Sequence, residues 1–293
     1  MPAPPALLTT TEVAQLLRVH PKHVYRLLKR GLPARRVGSE WRFDRAEVSA
    51  WSATGQRAGD AEAGAPDVAP RPASSAPPLL AANGDRVVLT FLRLLREAGT
   101  LLGLVAADRD SGLALLASGQ VLATGSHAGG FPSHLGGERL ARLHLVTREV
   151  GLVARGRIPD LRELARLRLA SRPESAGVRR YLDDALAGAG LDARQLQAKA
   201  ALCASHLEVV SRVARGDADV GLASRAWGEQ MGLAFRPLAK EAYGLLVRAR
   251  EMGHPAVVVA CQVAQGSAFR SEVSAIPGYD VTGAGDVKYD GVA

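Results

Sequence analysis

At 293 residues, with 47% hydrophobic and 23% charged, the chain has the balance of a folded protein with room for two domains, which excludes an intrinsically disordered chain. Its net charge of +8 is uneven: residues 1–52 carry +5 and the rest of the chain only +3, so attraction to an acidic partner is expected near the N-terminus. No stretch reaches the roughly 18 consecutive apolar residues of a membrane span, and MPAPPALLTT lacks the cationic and apolar regions of a secretory leader. With only Cys203 and Cys261, each in Ala/Val/Leu-rich surroundings, reduced buried thiols and a cytoplasmic protein without a membrane partner are expected.

Thr9 and Glu12 predict a capping box, in which the hydroxyl accepts from the N–H three residues on and the carboxylate reaches back. Val13, Leu16 and Leu17 give that first helix one apolar face. Pro21 suits the first turn of a second helix, whose Val24, Leu27 and Leu28 turn inward while Lys22, Arg26, Lys29 and Arg30 lie on other faces; Gly31 ends it. Ala34 to Val37 and Glu40 to Phe43 read as two short strands around Gly38-Ser39, with Val37, Trp41 and Phe43 available to the core. Asp44 and Glu47 open a third helix that returns Val48 and Trp51 to it.

These segments, TEVAQLL, HPKHVYRLLKRG, LPARRVG and EWRFDRAEVSAW, resemble the winged helix-turn-helix of excisionase-type and MerR-type DNA-binding domains over roughly residues 7–52. The resemblance implies double-stranded DNA as partner, contacted by the second helix and the wing, and by position assigns DNA binding to Lys22, His23, Arg26, Arg36, Ser39 and Arg42.

From Ala53 to Pro78, Ala, Pro, Gly and Ser make up 18 of 26 residues and Val68 is the only larger aliphatic, a composition that cannot bury a core and reads as a flexible linker. The domains expected are therefore residues 1–52, a linker 53–78, and a body 79–293. In the body, apolar runs alternate with helical patterns. Leu79–Ala82, Leu101–Ala106 and Val121–Thr124 each end in a polar loop, and Leu143–Val146 passes through Thr147-Arg148-Glu149 into Gly151–Ala154. A second set follows: a short helix 160–167, a strand 168–170, a helix 178–189, a run Ala198–Ala204, a helix 207–215 and a strand 219–223. Gly151–Ala154 and Tyr243–Val247 look like strands crossing between two lobes, and a helix 255–264 precedes the tail. An α/β body with a parallel sheet is expected, with the loops after its strands forming a ligand crevice.

The series GLALLASG, HLVTREVGLVARG, IPDLRELARLRLASRPESAGVRRYLDDALAGAGLD, SHLEVVSRVARGDADVGLAS, LAFRPLAKEAYGLLV and AIPGYDVTGAGDV resembles, over about residues 79–289, the periplasmic-binding-protein-like domain fused to cytoplasmic regulators, related to molybdate and tungstate binding proteins. It implies a two-lobed type II fold holding an oxyanion, molybdate or tungstate, with hydroxyls and backbone N–H groups rather than a cofactor or metal. The candidates for ligand binding are Asn83, Ser111, Ser126, His127, Ser171, Ser175, Ser205 and His206, with Arg148, Arg179 and Tyr243 at the corresponding edges. For any one serine a helix cap is the competing role. Ser175-Ala176-Gly177-Val178-Arg179 stands where the family usually has Gly-Ser-Gly-Thr-Arg, so two hydroxyls are missing. Glu174 adds a carboxylate, which leaves an organic or cationic ligand, or none, open.

No nucleophile elbow, phosphate-binding loop, zinc-spaced Cys/His set or dinucleotide fingerprint occurs, so no enzymatic activity is expected. The reading is a one-component, homodimeric transcription regulator that senses a small molecule. A phage-type or architectural DNA-binding protein whose body mediates assembly, or an unrecognised enzyme, are the alternatives.

Overall fold

The structure is a computed structural model; it describes residues 7–17, 19, 21–28, 32–37, 40–58, 77–127, 130–132, 135 and 137–290. The chain divides into two compact units, residues 1–72 and 73–293.

In the first unit, α1 (Thr10–Leu16) starts at the expected capping box: Thr9 N–H donates to Glu12 Oε2 at 2.7 Å and Glu12 N–H to Thr9 Oγ1 at 3.3 Å. Then come α2 (Pro21–Leu28), the hairpin β1 (Arg35–Val37) and β2 (Glu40–Arg42), and α3 (Arg45–Ala58). The α3 N-terminus is capped by Asp44 Oδ1, which accepts from the N–H groups of Ala46 and Glu47 at 2.8 and 3.1 Å. Val13, Ala14, Val24, Leu32, Phe43 and Val48 form the core. Leu8 and Phe43 exchange backbone hydrogen bonds, which fastens the chain before α1 to the wing. Val37, expected to face the core, is 56% exposed, because β1 is open to solvent along its whole length and offers nothing for it to pack on. α3 continues five residues past Ala53, where the linker composition begins.

The second unit opens with β3 (Leu79–Ala82), α4 (Arg86–Glu97), β4 (Gly103–Ala106), α5 (Arg109–Ala117) and β5 (Ala123–Ser126). A fifteen-residue strand β6 (Leu140–Ala154) leads into the other half: β7 (Leu169–Ser171), α6 (Arg179–Gly188), α7 (Ala193–Ala198), β8 (Ala201–Leu202), α8 (His206–Arg215), β9 (Val220–Ser224) and α9 (Arg225–Gln230). A second fifteen-residue strand, β10 (Ala234–Arg248), returns to the first half, which α10 (Pro255–Gln265), α11 (Ser267–Ser274), β11 (Tyr279–Asp280) and β12 (Val287–Tyr289) complete.

All the body strands belong to one sheet, in the order β4-β3-β5-β10-β6-β9-β7-β8, with β11 and β12 also on β6. β3, β4 and β5 are parallel, as are β7, β8 and β9, whereas β6 and β10 run antiparallel to each other and to β5 and β9. The sheet is thus mixed rather than parallel. Thr147-Arg148-Glu149 does not interrupt β6, because each polar residue meets a β10 residue in register: Thr147 faces Ala242, Arg148 faces Glu241 and Glu149 faces Lys240. Opposite charges across the ladder let a polar stretch remain strand. Ala198–Ala204 is likewise the end of α7 and the two-residue β8 rather than one strand.

Helices cover both faces of each half. In the first, Val87, Val88, Phe91, Leu94 and Leu95 of α4 share a core with Leu143, Leu145, Tyr243 and Leu245 of the long strands and with α10 and α11, while α5 contributes Leu116 to a separate cluster on the opposite face. In the second, α6 packs Leu182 and Leu186 on Val150, Leu152 and Leu222, and α8 packs Val209, Val210 and Val213 on Val153 and Ala223. The loops after β3, β4, β5, β7 and β8 therefore converge where the halves meet.

Candidate functional site

On the first unit, Arg36 is exposed with its guanidinium 5.8 Å from the Trp41 ring centroid. Arg42 is partly buried, pairs with Glu40 at 2.6 Å and donates to the Trp41 carbonyl at 3.2 Å. Arg35 pairs with Glu47 at 3.1 Å. His23 lies half-buried on α2. The backbones of Lys22 and Arg26 belong to α2 but their side chains lie outside the described residues, as does Ser39 altogether.

The meeting of the two halves of the second unit is built around Arg148, which is fully buried in the middle of β6. Its Nη1 donates to Asp85 Oδ2 at 2.5 Å, and its Nε and Nη2 donate to Glu241 Oε1 at 2.8 and 2.5 Å. Tyr243 lies under the guanidinium, 4.3 Å from it, and its hydroxyl donates to Asn83 Oδ1 at 3.4 Å. Asp85, the N-cap of α4, also accepts from Val87 N–H at 3.2 Å and from the Tyr279 hydroxyl. Glu241 Oε2 accepts from Tyr181 at 3.1 Å. Burial alone would push the Glu241 carboxyl up, but the Arg148 guanidinium and His127 beside it hold it well below the usual carboxylate range. His127 Nδ1 lies 3.3 Å from Glu241 Oε1 and 3.2 Å from Arg148 Nη2, a position in which one ring nitrogen serves only one of them.

A second ion pair joins the halves. Arg172, after β7, donates through Nη2 to Asp108 Oδ1 at 2.8 Å and through Nη1 to the Cys203 carbonyl at 2.9 Å; Ser175 donates to Asp108 Oδ2 at 2.9 Å. Gly177 packs against the His127 ring, so closely that a Cβ there would sit 3.1 Å from Cγ. Arg86 donates to the Ala226 carbonyl at 3.2 Å.

Among the described residues, six polar atoms of this region are buried and lack a hydrogen-bond partner: Ser126 Oγ, Ser171 Oγ, Ser224 Oγ, Arg172 Nε and both ring nitrogens of His206. All five residues are at most 2% exposed. Burial pushes the His206 imidazole well below its ordinary range, and the guanidiniums of Arg148 and Arg172 add to that, so it is neutral near pH 7. Burial likewise lowers His127, against the opposing pull of Glu241.

The crevice thus brings together Asn83, Ser126, His127, Arg148, Ser171, Ser175, His206 and Tyr243 of the residues singled out in the sequence. Ser111 is exposed and closes the α5 cap, accepting from Asp108 N–H at 2.9 Å. Ser205 caps α8, accepting from Glu208 N–H at 3.0 Å. Arg179 is held by Asp183 at 3.0 Å and by the Arg172 carbonyl at 3.0 Å. Asp85, Asp108, Arg172, Ser224 and Glu241 are the crevice residues that sequence reasoning passed over. The available signal was an acid in each of the loops that follow β3 and β4, Asp85 and Asp108, and opposite charges in the otherwise apolar strands HLVTREVGLVA and EAYGLLV. A separate cleft of about 520 Å³, lined by Pro132, Leu135, Glu138, Arg139 and Asp290 among others, contains none of these residues. Cys203 and Cys261 are free thiols, the first buried and the second half-buried. No helix among the described residues is long and apolar enough to cross a membrane.

Among known proteins, residues 7–55 match a helix-turn-helix domain and residues 93–265 match the PBP superfamily domain. An uncharacterized protein encoded in the 5′ region of a ferredoxin 2Fe-2S gene of Clostridium pasteurianum is 33% identical over 107 residues, 36% of this chain and 95% of that protein. The uncharacterized protein YvgK of Bacillus subtilis is 27% identical over 262 residues, 82% of this chain and 84% of that one. Among solved structures, the effector binding domain of a BenM variant aligns with TM-score 0.49 at 13% identity, covering 69% of this chain and 97% of its own. The periplasmic-binding-like topology of the body, and the residues matched in each unit, place this chain in the PBP superfamily domain family with a helix-turn-helix domain at its N-terminal end.

Proposed function

We propose that this chain is a one-component transcription regulator: the winged helix-turn-helix binds duplex DNA, and the body senses a small polar molecule held where its two halves meet. The observation that carries the sensing role is the set of five buried side chains with unpartnered polar atoms, supplied from both halves of the body. Buried polar groups are rarely left without a partner, and a cluster of them facing one crevice marks a place that a ligand completes. Lys22, His23, Arg26, Arg36, Ser39 and Arg42 are the proposed DNA contacts, and Asn83, Ser126, His127, Arg148, Ser171, Ser175, His206 and Tyr243 the proposed ligand shell. Ser111, Ser205 and Arg179 act from outside it through the helix starts they stabilise. The role is binding, with no catalysed reaction, and the site of action is the cytoplasm.

Two heads on a two-fold operator bind far better than one, so the working form is a homodimer. The resemblance to molybdate and tungstate binding proteins makes a divalent oxyanion the first ligand to consider; the free donors suit it and the three crevice carboxylates oppose it. The test is to enrich duplexes from a random-sequence library with the full chain, then measure affinity for the enriched site with and without candidate ligands. Coupling of the usual size changes that affinity about 5- to 150-fold. Failure to enrich any duplex refutes the DNA-binding role, and a bound ligand that leaves DNA affinity unchanged reduces the body to an assembly module. Sedimentation as a monomer at micromolar concentration, on and off DNA, refutes the dimer.

A further inference from the structure

The unpartnered atoms and the charges of the crevice make different demands. Arg172 is fixed by Asp108 and the Cys203 carbonyl through its two terminal nitrogens, leaving Nε–H, a pure donor, without an acceptor. Ser171, next to it in the chain, and His206, close enough to be influenced by both Arg172 and Arg148, have hydrogen-bonding capacity to spare. What is missing beside Arg172 is therefore an acceptor group.

The net charge asks for the opposite sign. Asp85, Asp108 and Glu241 set against Arg148 and Arg172 leave one negative charge, and the neighbouring imidazoles contribute none. A divalent anion would carry the site to three negative charges in a place nearly sealed from water, where charge repulsion is strong. The starts of α4 and α5 offer no relief, because Asp85 and Asp108 occupy their N-cap positions and Val87 N–H already donates to Asp85 and the Tyr279 oxygen.

A ligand that meets both demands carries an acceptor group and a compensating positive charge. Asp108 and Arg172 already present opposite charges 2.8 Å apart, so a molecule whose own charges are separated by one carbon can lie antiparallel along them. Asp108 is also the one ionised side chain of the five with appreciable solvent access, 19%, which marks the side of entry. We infer that the crevice binds a small zwitterion of the α-amino-acid class, with its carboxylate received by Arg172 Nε, Ser171 and His206 and its ammonium placed beside Asp108. This deepens the sensor reading above and rests on it.

The test is thermal shift of the full chain against each proteinogenic amino acid and against sodium molybdate, tungstate and sulfate, followed by calorimetric titration of whatever stabilises. At least one amino acid is expected to raise the melting temperature and the divalent anions to leave it unchanged. The corresponding amine, lacking the carboxylate, and the N-acetylated form, lacking the charge, are both expected to fail. Ser171→Ala and Arg172→Gln are expected to weaken binding about tenfold each, the loss of a hydrogen bond to a charged group. Ser171→Ala, which disturbs no ion pair, carries the test if Arg172→Gln does not fold. Stabilisation by a divalent anion with none by any amino acid overturns the ligand class and leaves the sensor reading standing. So does silence from every amino acid. An amino acid that binds the folded variants as tightly as the parent overturns the site. An amino acid that binds at this site without altering DNA affinity leaves the site intact and removes the sensor reading.

Discussion

Replacing Arg148 by Met tests whether the ion-pair cluster holds the two halves of the body together. Arg148 is fully buried and is the shared cation of Asp85 and Glu241, both buried as well. Met keeps most of the side-chain bulk over Tyr243 but strips both carboxylates of their counter-charge. Removing one partner of a buried pair costs about 3–5 kcal/mol. For a unit of this length each kcal/mol lowers the melting temperature by about 2–4 °C, so the drop is about 6–20 °C. The pH dependence gives a sharper reading. In the parent, Glu241 titrates below its ordinary value of 4.5, so the stability it contributes is present above that value and is lost as the pH falls below it. Without Arg148, the strongest influence lowering Glu241 is gone and its burial, now opposed by His127, raises it, so protonation favours the folded variant and its stability should increase as the pH is lowered from 7 toward about 4.5. Differential scanning calorimetry at several pH values should show the deficit shrinking on acidification. The triple variant carrying Asp85→Asn and Glu241→Gln as well should recover most of the loss at pH 7. A deficit under about 1 kcal/mol, or one that does not change between pH 7.5 and 4.5, would refute the role given to this cluster.

In the head, Phe43 is fully buried among few core residues, so Phe43→Ala should cost about 3–5 kcal/mol. A unit this small cannot absorb that loss; circular dichroism should show the head unfolded and DNA binding gone while the body's melting is unchanged. Arg36→Ala, on the exposed wing, should weaken binding to all duplexes alike and reduce the slope of log K against log salt by about 1, as read by fluorescence anisotropy across a salt series. Asp219 is lowered to about 2 by Arg168, but the pair is largely open to solvent, so Asp219→Asn should cost under about 1 kcal/mol at neutral pH, and the difference from the parent should vanish as the pH falls from about 4 to about 2.

The head was legible from local chemistry, since the Thr9–Glu12 cap, Pro21 at a helix start and Asp44 before α3 are each fixed within four residues. Strand–loop–helix units such as β3–α4 were legible for the same reason. Reading went wrong where partners are distant in sequence. Thr147-Arg148-Glu149 looks like a loop until Glu241, 93 residues away, is placed opposite it. Ser111 and Ser205, by contrast, close their own helix starts three residues away, the competing role that local sequence already offered for each serine. The five crevice residues passed over are mostly charged groups satisfied across the halves, and periodicity along one segment carries no trace of such pairing. Val37 shows the converse: an apolar residue in a strand pattern stays outside where no layer exists to cover it.

β6 and β10 pair from Leu140 with Arg248 to Ala154 with Ala234, and each half of the body uses one end of both. Neither half therefore owns a complete sheet, and melting one strips the other of two interior strands. The ladder is also tightly fitted: a Cβ on Gly151 would lie 2.0 Å from the Arg236 carbonyl oxygen, and one on Gly244 would lie 2.1 Å from that of Leu143. The body should behave as a single cooperative unit despite its two-part outline, with one calorimetric transition and van't Hoff and calorimetric enthalpies in agreement. In native-state hydrogen exchange, the amides of Leu145 in one half and Leu152 in the other should be released by the same global opening, with equal free energies and equal denaturant dependence.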